Sequence, residues 1–189
     1  MMFTNFYLET GRLTIRLFTD DDALDFYKII NNEAVLRYIP EKSMTFDEFM
    51  VPFKRVLRRY NENTPQQITR FSLAVRENQS HRLVGWVGLG RLEIDPEEIE
   101  IYYGMSRDVW GRGYATEAAR ALLRYGFDTL GLEKIVAIVK PDNTASIKVV
   151  EKIGLKYKRD ITGLPEKHKF FEGIKYFDLT RNEYRQLFT

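Results

Sequence analysis

The sequence predicts a mixed α/β fold: one central, mostly antiparallel sheet of about six to seven strands with helices on both faces. Three observations predict it. Segments with a two-residue apolar period intermingle with segments of helical period. No linker separates the two kinds. Hydrophobic residues at 44% and aromatic residues at 14% supply apolar surface for one substantial core. The chain, 1–189, is therefore read as a single domain.

The elements follow in order. Arg12–Phe18 alternates Leu13, Ile15 and Leu17 with Arg12, Thr14 and Arg16, which predicts a half-buried first strand. Thr19 before three aspartates is a helix N-cap with acids at the positive end of the dipole. Ala23, Phe26, Tyr27 and Ile30 mark the apolar face of the helix that follows. Asn31–Met44 has no clear period and reads as a loop. Thr45 and Glu48 form a capping box opening a second helix. Its apolar face carries Phe49, Met50, Phe53, Leu57 and Tyr60, and Pro52 predicts a kink. After Pro65 the pattern turns strand-like: Phe71, Leu73 and Val75 alternate, and Asn78–His81 supplies a turn. Leu83–Ile94 is a long second run in which Gly85, Gly88 and Gly90 permit bends or close backbone approach. Asp95 and Pro96 break it, and Ile99–Met105 completes an antiparallel meander. Ala118, Ala119, Leu122, Leu123 and Gly126 then form one helical face with Gly131 as C-cap. Lys134–Val139 is β-branched and reads as a buried strand. Asn143 opens a further helix through Ile147, Val150 and Ile153, stopped by Gly154. Tyr157–Ile161 and Phe170–Leu179 pair as a final hairpin around Gly163 and Pro165.

Charge and composition exclude several functions. Charged residues make up 30% of the chain, yet the formal net charge is only +2, unlike a protein that grips a nucleic-acid backbone. No cysteine is present, so disulfides, thiolate metal sites and cysteine nucleophiles are excluded, which fits a reducing cytoplasm. Met1–Thr10 has no basic region followed by an apolar run, and no apolar stretch approaches the ~20 residues of a membrane helix. A cytoplasmic chain with no membrane or direct nucleic-acid partner is expected. The two histidines, His81 and His168, fall in separate polar loops, so they read as surface residues and no metal site is expected. No GxxxxGK[ST] occurs, and Gly85, Gly88 and Gly90 lack the spacing of a dinucleotide fingerprint.

Ile99–Glu117 carries the clearest chemical signal. A strand ends, and the loop Trp110-Gly111-Arg112-Gly113 passes directly into a helix. Gly111 and Gly113 remove side chains, so backbone N–H groups can converge on an anion at a helix N-terminus. Arg107 and Arg112 add positive charge suited to a pyrophosphate. An ordinary glycine-rich turn before an amphipathic helix uses the same residues.

Trp110–Ala115 resembles the signature Gln/Arg-x-x-Gly-x-Gly/Ala of the GCN5-related N-acetyltransferases, with Gly113 and Ala115 at the two small positions. Thr116, Glu117 and Ala118 extend the similarity toward the branch that acetylates ribosomal-protein N-termini, the RimJ/RimL type. Glu9–Arg16 resembles that branch's opening strand, Gly85-Trp-Val-Gly88 its third strand, and Asn143–Leu155 its second coenzyme-contacting helix. The match runs from Glu9 to about Lys158.

The resemblance implies a splayed sheet in which two adjacent strands part to admit the pantetheine of acetyl-CoA, the co-substrate. Tyr103, Gly104, Met105, Ser106 and Arg107 are then the exposed edge. Trp110, Gly111, Arg112, Gly113, Tyr114, Ala115 and Thr116 are the pyrophosphate loop, and Asn143 and Ser146 flank the thioester. Trp110 departs from the usual Gln or Arg at a position that acts through its backbone. The implied chemistry is direct attack of a primary amine in a ternary complex. An alkyl ammonium has a pKa of about 10.4 and an α-ammonium about 7.7–8.0, so a base is needed. Glu100, on the strand leading to the loop, matches the family's base; it is equally a solvated charge in the acidic run Glu93–Glu100. A tyrosine acid usual in the family is replaced by Val150. Ser146 matches the serine that the ribosomal-protein branch uses as a hydrogen-bond donor to sulfur, and it is also a first-turn helix residue. Tyr102, Tyr103 and Tyr114 read chiefly as packing residues, and Lys148 and Lys152 as a solvated helix face within reach of the coenzyme phosphates. Acceptor-facing segments are Asn31–Met44, with Arg37 and Tyr38, and Ile161–Phe171. The acceptor is a protein N-terminus or a small amine such as an antibiotic, polyamine or amino-acid derivative; a non-catalytic acyl-CoA sensor is the alternative.

Overall fold

A computed structural model describes residues 5–64 and 67–188. The first four positions of Met1–Thr10, and Pro65 at the onset of the strand-like region, lie outside the described residues. The elements run β1 (Tyr7–Glu9), β2 (Leu13–Arg16), α1 (Ala23–Ile30), α2 (Glu33–Leu36), α3 (Phe46–Arg59), β3 (Arg70–Glu77), β4 (Leu83–Leu92) and β5 (Asp95–Met105). They continue as α4 (Tyr114–Arg124), β6 (Lys134–Val139), α5 (Thr144–Lys152), β7 (Lys156–Asp160), β8 (Lys175–Thr180) and α6 (Arg181–Phe188).

The strands form one eight-stranded sheet in the order β1-β2-β3-β4-β5-β6-β8-β7, antiparallel except at the parallel β5–β6 junction. Eight strands exceed the expected six to seven because β1, only three residues long, shows no apolar alternation and pairs by its backbone with β2. Two further elements escape the sequence reading. α2 interrupts the supposed loop Asn31–Met44, capped by Asn32, whose Oδ1 accepts from the Ala34 N–H at 3.0 Å. α6 follows β8 directly, and the Phe170–Phe171 end of the expected last strand lies instead in a 3-10 turn, Glu166–Phe171. Asp95 and Pro96 begin β5 rather than breaking the sheet; a proline is tolerated at a strand's first residues, where no ladder donor is required. α3 continues through Pro52, and its Thr45–Glu48 capping box forms.

Helices cover both sheet faces. On β4, Trp86 meets Phe26 of α1 edge-on at 5.5 Å, while Leu89, of opposite parity, reaches toward Gly126 in the π-helical turn after α4. Burial on both sides explains why β4 is a continuous buried run, Leu83–Gly90, rather than an alternating one.

Three cross-strand pairs shape the α1/α3 face. Gly90 lies opposite Glu100, Gly88 opposite Tyr102, and Trp86 opposite Gly104. A Cβ at Gly88 would sit 2.3 Å from the Tyr102 ring, and one at Gly104 would sit 2.0 Å from the Trp86 ring. The absent side chains therefore let both rings lie across the sheet, forming the floor of a cavity.

Candidate active site

β5 and β6 pair at a single register, Glu100 opposite Val136, and then part. Two cavities open around this gap. One, about 370 Å³, is lined by Tyr103–Met105, Trp110, Gly111, Gly113–Thr116, Asn143–Ser146 and Lys148. The other, about 420 Å³, is lined on one side by Arg70, Ser72, Glu100 and Tyr102, and on the other by Phe170 and Phe171. Tyr38, Ile39, Trp86, Tyr103, Asn143 and Ser146 border both, so the cavities meet at the end of the strand gap.

The first cavity has the features of an anion cradle. Gly111 and Gly113 both adopt φ +80, a left-handed conformation that side chains disfavour, and Gly113 is the N-cap of α4. Their N–H groups and the helix end form a site a Cβ-bearing chain would not reproduce. The loop is held from outside. Arg12 Nη1 donates to the Arg112 carbonyl at 2.9 Å, and Arg12 Nε donates to Glu117 at 2.7 Å. Thr10 Oγ1 donates to the same carboxylate at 2.6 Å. The separated motifs Glu9–Arg16 and Trp110–Glu117 are thereby one structural unit.

Not every expected coenzyme residue borders this cavity. Ser106 is turned to Asp108, Arg107 stacks over the Trp110 ring at 4.6 Å, and the Arg112 side chain faces Glu77 at 3.9 Å. Positive charge comes instead from Lys148 and Lys152 on α5. These arginines are drawn away by local partners that a linear sequence does not display. Among the expected acceptor residues, Tyr38 borders both cavities, whereas Arg37 is paired with Asp142 at 2.9 Å. Both expected acceptor segments contribute to the larger cavity, through Tyr38–Glu41, Met44, Phe170 and Phe171.

Glu100 faces that cavity with no hydrogen bond or ion pair to its carboxylate among the described residues. Loss of solvation pushes its pKa up to about 7, opposed by Arg70 and assisted by Glu93. A carboxylate in that range accepts protons near neutral pH. Tyr103 donates to the Ser146 carbonyl at 3.1 Å, and burial pushes its phenol up, so it stays protonated. Asn143 Oδ1 accepts from the Ser146 N–H at 3.1 Å, capping α5 and setting Ser146 at the junction. Val150 is fully buried. His81 is exposed, but His168 is half-buried, 3.7 Å from Glu93. The cavity-lining residues missed by sequence reasoning include Trp86, whose signal was only its place between two glycines.

Comparison with known proteins gives a consistent picture. The family model described as acetyltransferase (GNAT) domain matches residues 12–156. "Uncharacterized N-acetyltransferase p20" from Bacillus licheniformis is 28% identical over 184 residues, covering 94% of this chain and 97% of that protein. "Spermidine N(1)-acetyltransferase" from Escherichia coli K12 is 25% identical over 161 residues, covering 85% of this chain and 79% of that protein. Among solved structures, a GNAT-family acetyltransferase from Bacillus anthracis superposes with TM-score 0.71 at 25% identity, covering 94% of this chain and 99% of the other.

Proposed function

Because the chain belongs to the acetyltransferase (GNAT) family and is an N-acetyltransferase using acetyl-CoA, we propose that it acetylates a primary amine held in the larger cavity, with Glu100 as the base. The observation that carries the reading is the junction of a glycine-shaped anion cradle with a cavity containing an unpartnered carboxyl tuned to about 7.

Gly111–Thr116 amides, Lys148 and Lys152 would hold the coenzyme's phosphates, and the parted edge of β5 its pantetheine. Acetyl-CoA, when bound, supplies an acetyl group activated as a thioester. Glu100 takes the proton of the acceptor ammonium, directly or through water, so that the amine attacks as a neutral nucleophile. The N–C bond forms as the C–S bond breaks, and the coenzyme departs as thiolate. Ser146 offers its hydroxyl as donor there; a thiol's pKa of about 8.5 makes a strong acid unnecessary, consistent with Val150 in place of a tyrosine.

The acceptor belongs to the same proposal: a protein N-terminus or a small-molecule amine. The Asn143–Ser146 pattern supports a ribosomal-protein-type acceptor, and a relative named for spermidine supports a small amine. A cytoplasmic setting, supported by the cysteine-free sequence, is also proposed. A non-catalytic sensor is not favoured, since a purely binding protein has no use for a carboxyl desolvated in the acceptor cavity.

The test is the melting temperature with acetyl-CoA, and with ATP and NAD as controls, followed by an amine screen read by thiol release. Acetyl-CoA at a hundredfold excess over its dissociation constant raises stability by about 2.7 kcal/mol. The shift should be absent in Gly113→Glu, which places bulk and negative charge in the cradle. An unshifted wild-type protein, backed by direct binding measurements, would defeat the reading.

A further inference from the structure

The larger cavity has a charge pattern that its aromatic floor does not explain. Arg55 and Arg59 lie one turn apart on α3, Arg70 opens β3, and Arg91 stands near the end of β4; all four line the cavity. None makes an ion pair within 4 Å among the described residues. Arg91 donates to the Pro96 carbonyl at 2.5 Å, and Arg70 lies over the Tyr102 ring at 4.7 Å. Among the described residues no hydrogen bond holds the guanidinium of Arg55 or Arg59. Like charges spaced i,i+4 on a helix repel, and here the helix faces a third guanidinium across the cavity. Guanidinium groups stay charged at any working pH and present a fork that fits carboxylate or phosphate. The opposing acids are Glu41, Glu93 and Glu100. Of these, Glu100 is committed to the amine and Glu93 faces His168.

We propose that the acceptor is an amine that also carries an anionic group, carboxylate or phosphate, seated on Arg55, Arg59 and Arg70 while its amine meets Glu100. This rests on the acetyltransferase reading above and narrows its acceptor. A polyamine fits poorly, because its second ammonium would lie among guanidinium groups. An acceptor with one cation and one anion leaves neither unmatched: the ammonium loses its proton to Glu100, and the anion offsets the excess positive charge.

The experiment compares matched acceptors with acetyl-CoA by thiol release: an α-amino acid against its amide, a dipeptide against its C-terminal amide, O-phosphoethanolamine against ethanolamine, and spermidine. The expected result is a kcat/KM about tenfold or more higher for an anionic member than for its neutral partner. Preference within the first two pairs identifies a carboxylate, and within the third a phosphate. In the Arg55→Gln/Arg59→Gln double variant that ratio should collapse toward one through KM, and Arg55→Lys/Arg59→Lys should restore part of it. Added salt should lower the ratio, as screening of a partly exposed site requires. Should no acceptor turn over, an N-acetylated dipeptide and its amide are titrated by calorimetry into protein holding coenzyme A; tighter binding of the acid is expected. Equal kcat/KM within all three pairs, equal binding where nothing turns over, or spermidine as the best acceptor overturns the proposal while leaving the acetyltransferase intact. Failure to bind acetyl-CoA would instead strike the reading beneath it.

Discussion

Glu100→Gln should slow catalysis and stabilise the fold, with the second effect confined to high pH. Holding a carboxyl at about 7 instead of 4.5 means that the folded chain carries the ionised form at a cost of about 3 kcal/mol, at roughly 1.4 kcal/mol per pH unit. Below pH 4.5 the group is protonated both folded and unfolded, so no cost arises. Between there and about 7 the folded chain binds more protons than the unfolded chain, and stability falls as pH rises. Above about 7 the full cost is present. Glutamine, uncharged and nearly isosteric, removes it. The variant should match wild type at pH 4.5 and gain up to about 3 kcal/mol by pH 8, roughly 6–12 °C in Tm for a chain of this size. At pH 8 its turnover should lie about 10²–10⁴ below that of wild type, with the gap closing as pH falls. Wild-type kcat/KM should drop about tenfold from its plateau on going to pH 6, where only about a tenth of the carboxyls are ionised. Denaturant melts at both pH values and initial rates across the series read both effects. A stability gain equal at pH 4.5 and pH 8, or a rate profile shared by wild type and variant, would refute the reasoning.

Arg12→Ala removes the donor to the Arg112 carbonyl and one partner of Glu117 without touching the cavity. Acetyl-CoA affinity should fall several-fold by calorimetry, while Tm falls little, since an exposed pair contributes about 0–1 kcal/mol. Val150→Tyr should not create a working acid. Val150 is fully buried, so the larger side chain overpacks the core at a cost of about 1–3 kcal/mol, with lower Tm and no gain in turnover.

What could be read in the sequence was set by local rules. Lys134–Val139 is a strand at the expected bounds because a β-branched run buried on both sides leaves no alternative. The capping residues Thr45, Asn143 and Gly113 mark helix starts because each satisfies the orphan donors of its own first turn or adopts a conformation few residues can. α6 was missed although a capping pattern opens it, Thr180 and Glu183, with the Thr180 N–H donating to Glu183 at 3.0 Å. β1 and α2 were missed for another reason, since three and four residues are too few for a pattern to repeat. The cavity arginines were also invisible as a group. Arg55, Arg70 and Arg91 belong to three elements, and only the register of β3 on β4 and the seat of α3 bring them together.

The fold and the chemistry are linked at the parting of β5 from β6. Had the two strands stayed paired beyond Glu100 and Val136, their backbone groups would satisfy each other and neither cavity would reach the other. The divergence frees the edge of β5 at the point where the loop Trp110–Gly113 turns the chain into α4. It also lets Tyr103 reach the Ser146 carbonyl, so that α5 closes the far side of the gap. Glu100 is the last paired residue before the gap, which places a desolvated carboxyl between sheet and cavity. Its raised proton affinity follows from that burial, and its cavity meets the coenzyme cradle at Tyr103 and Ser146. A variant that re-pairs the strands should lose both together.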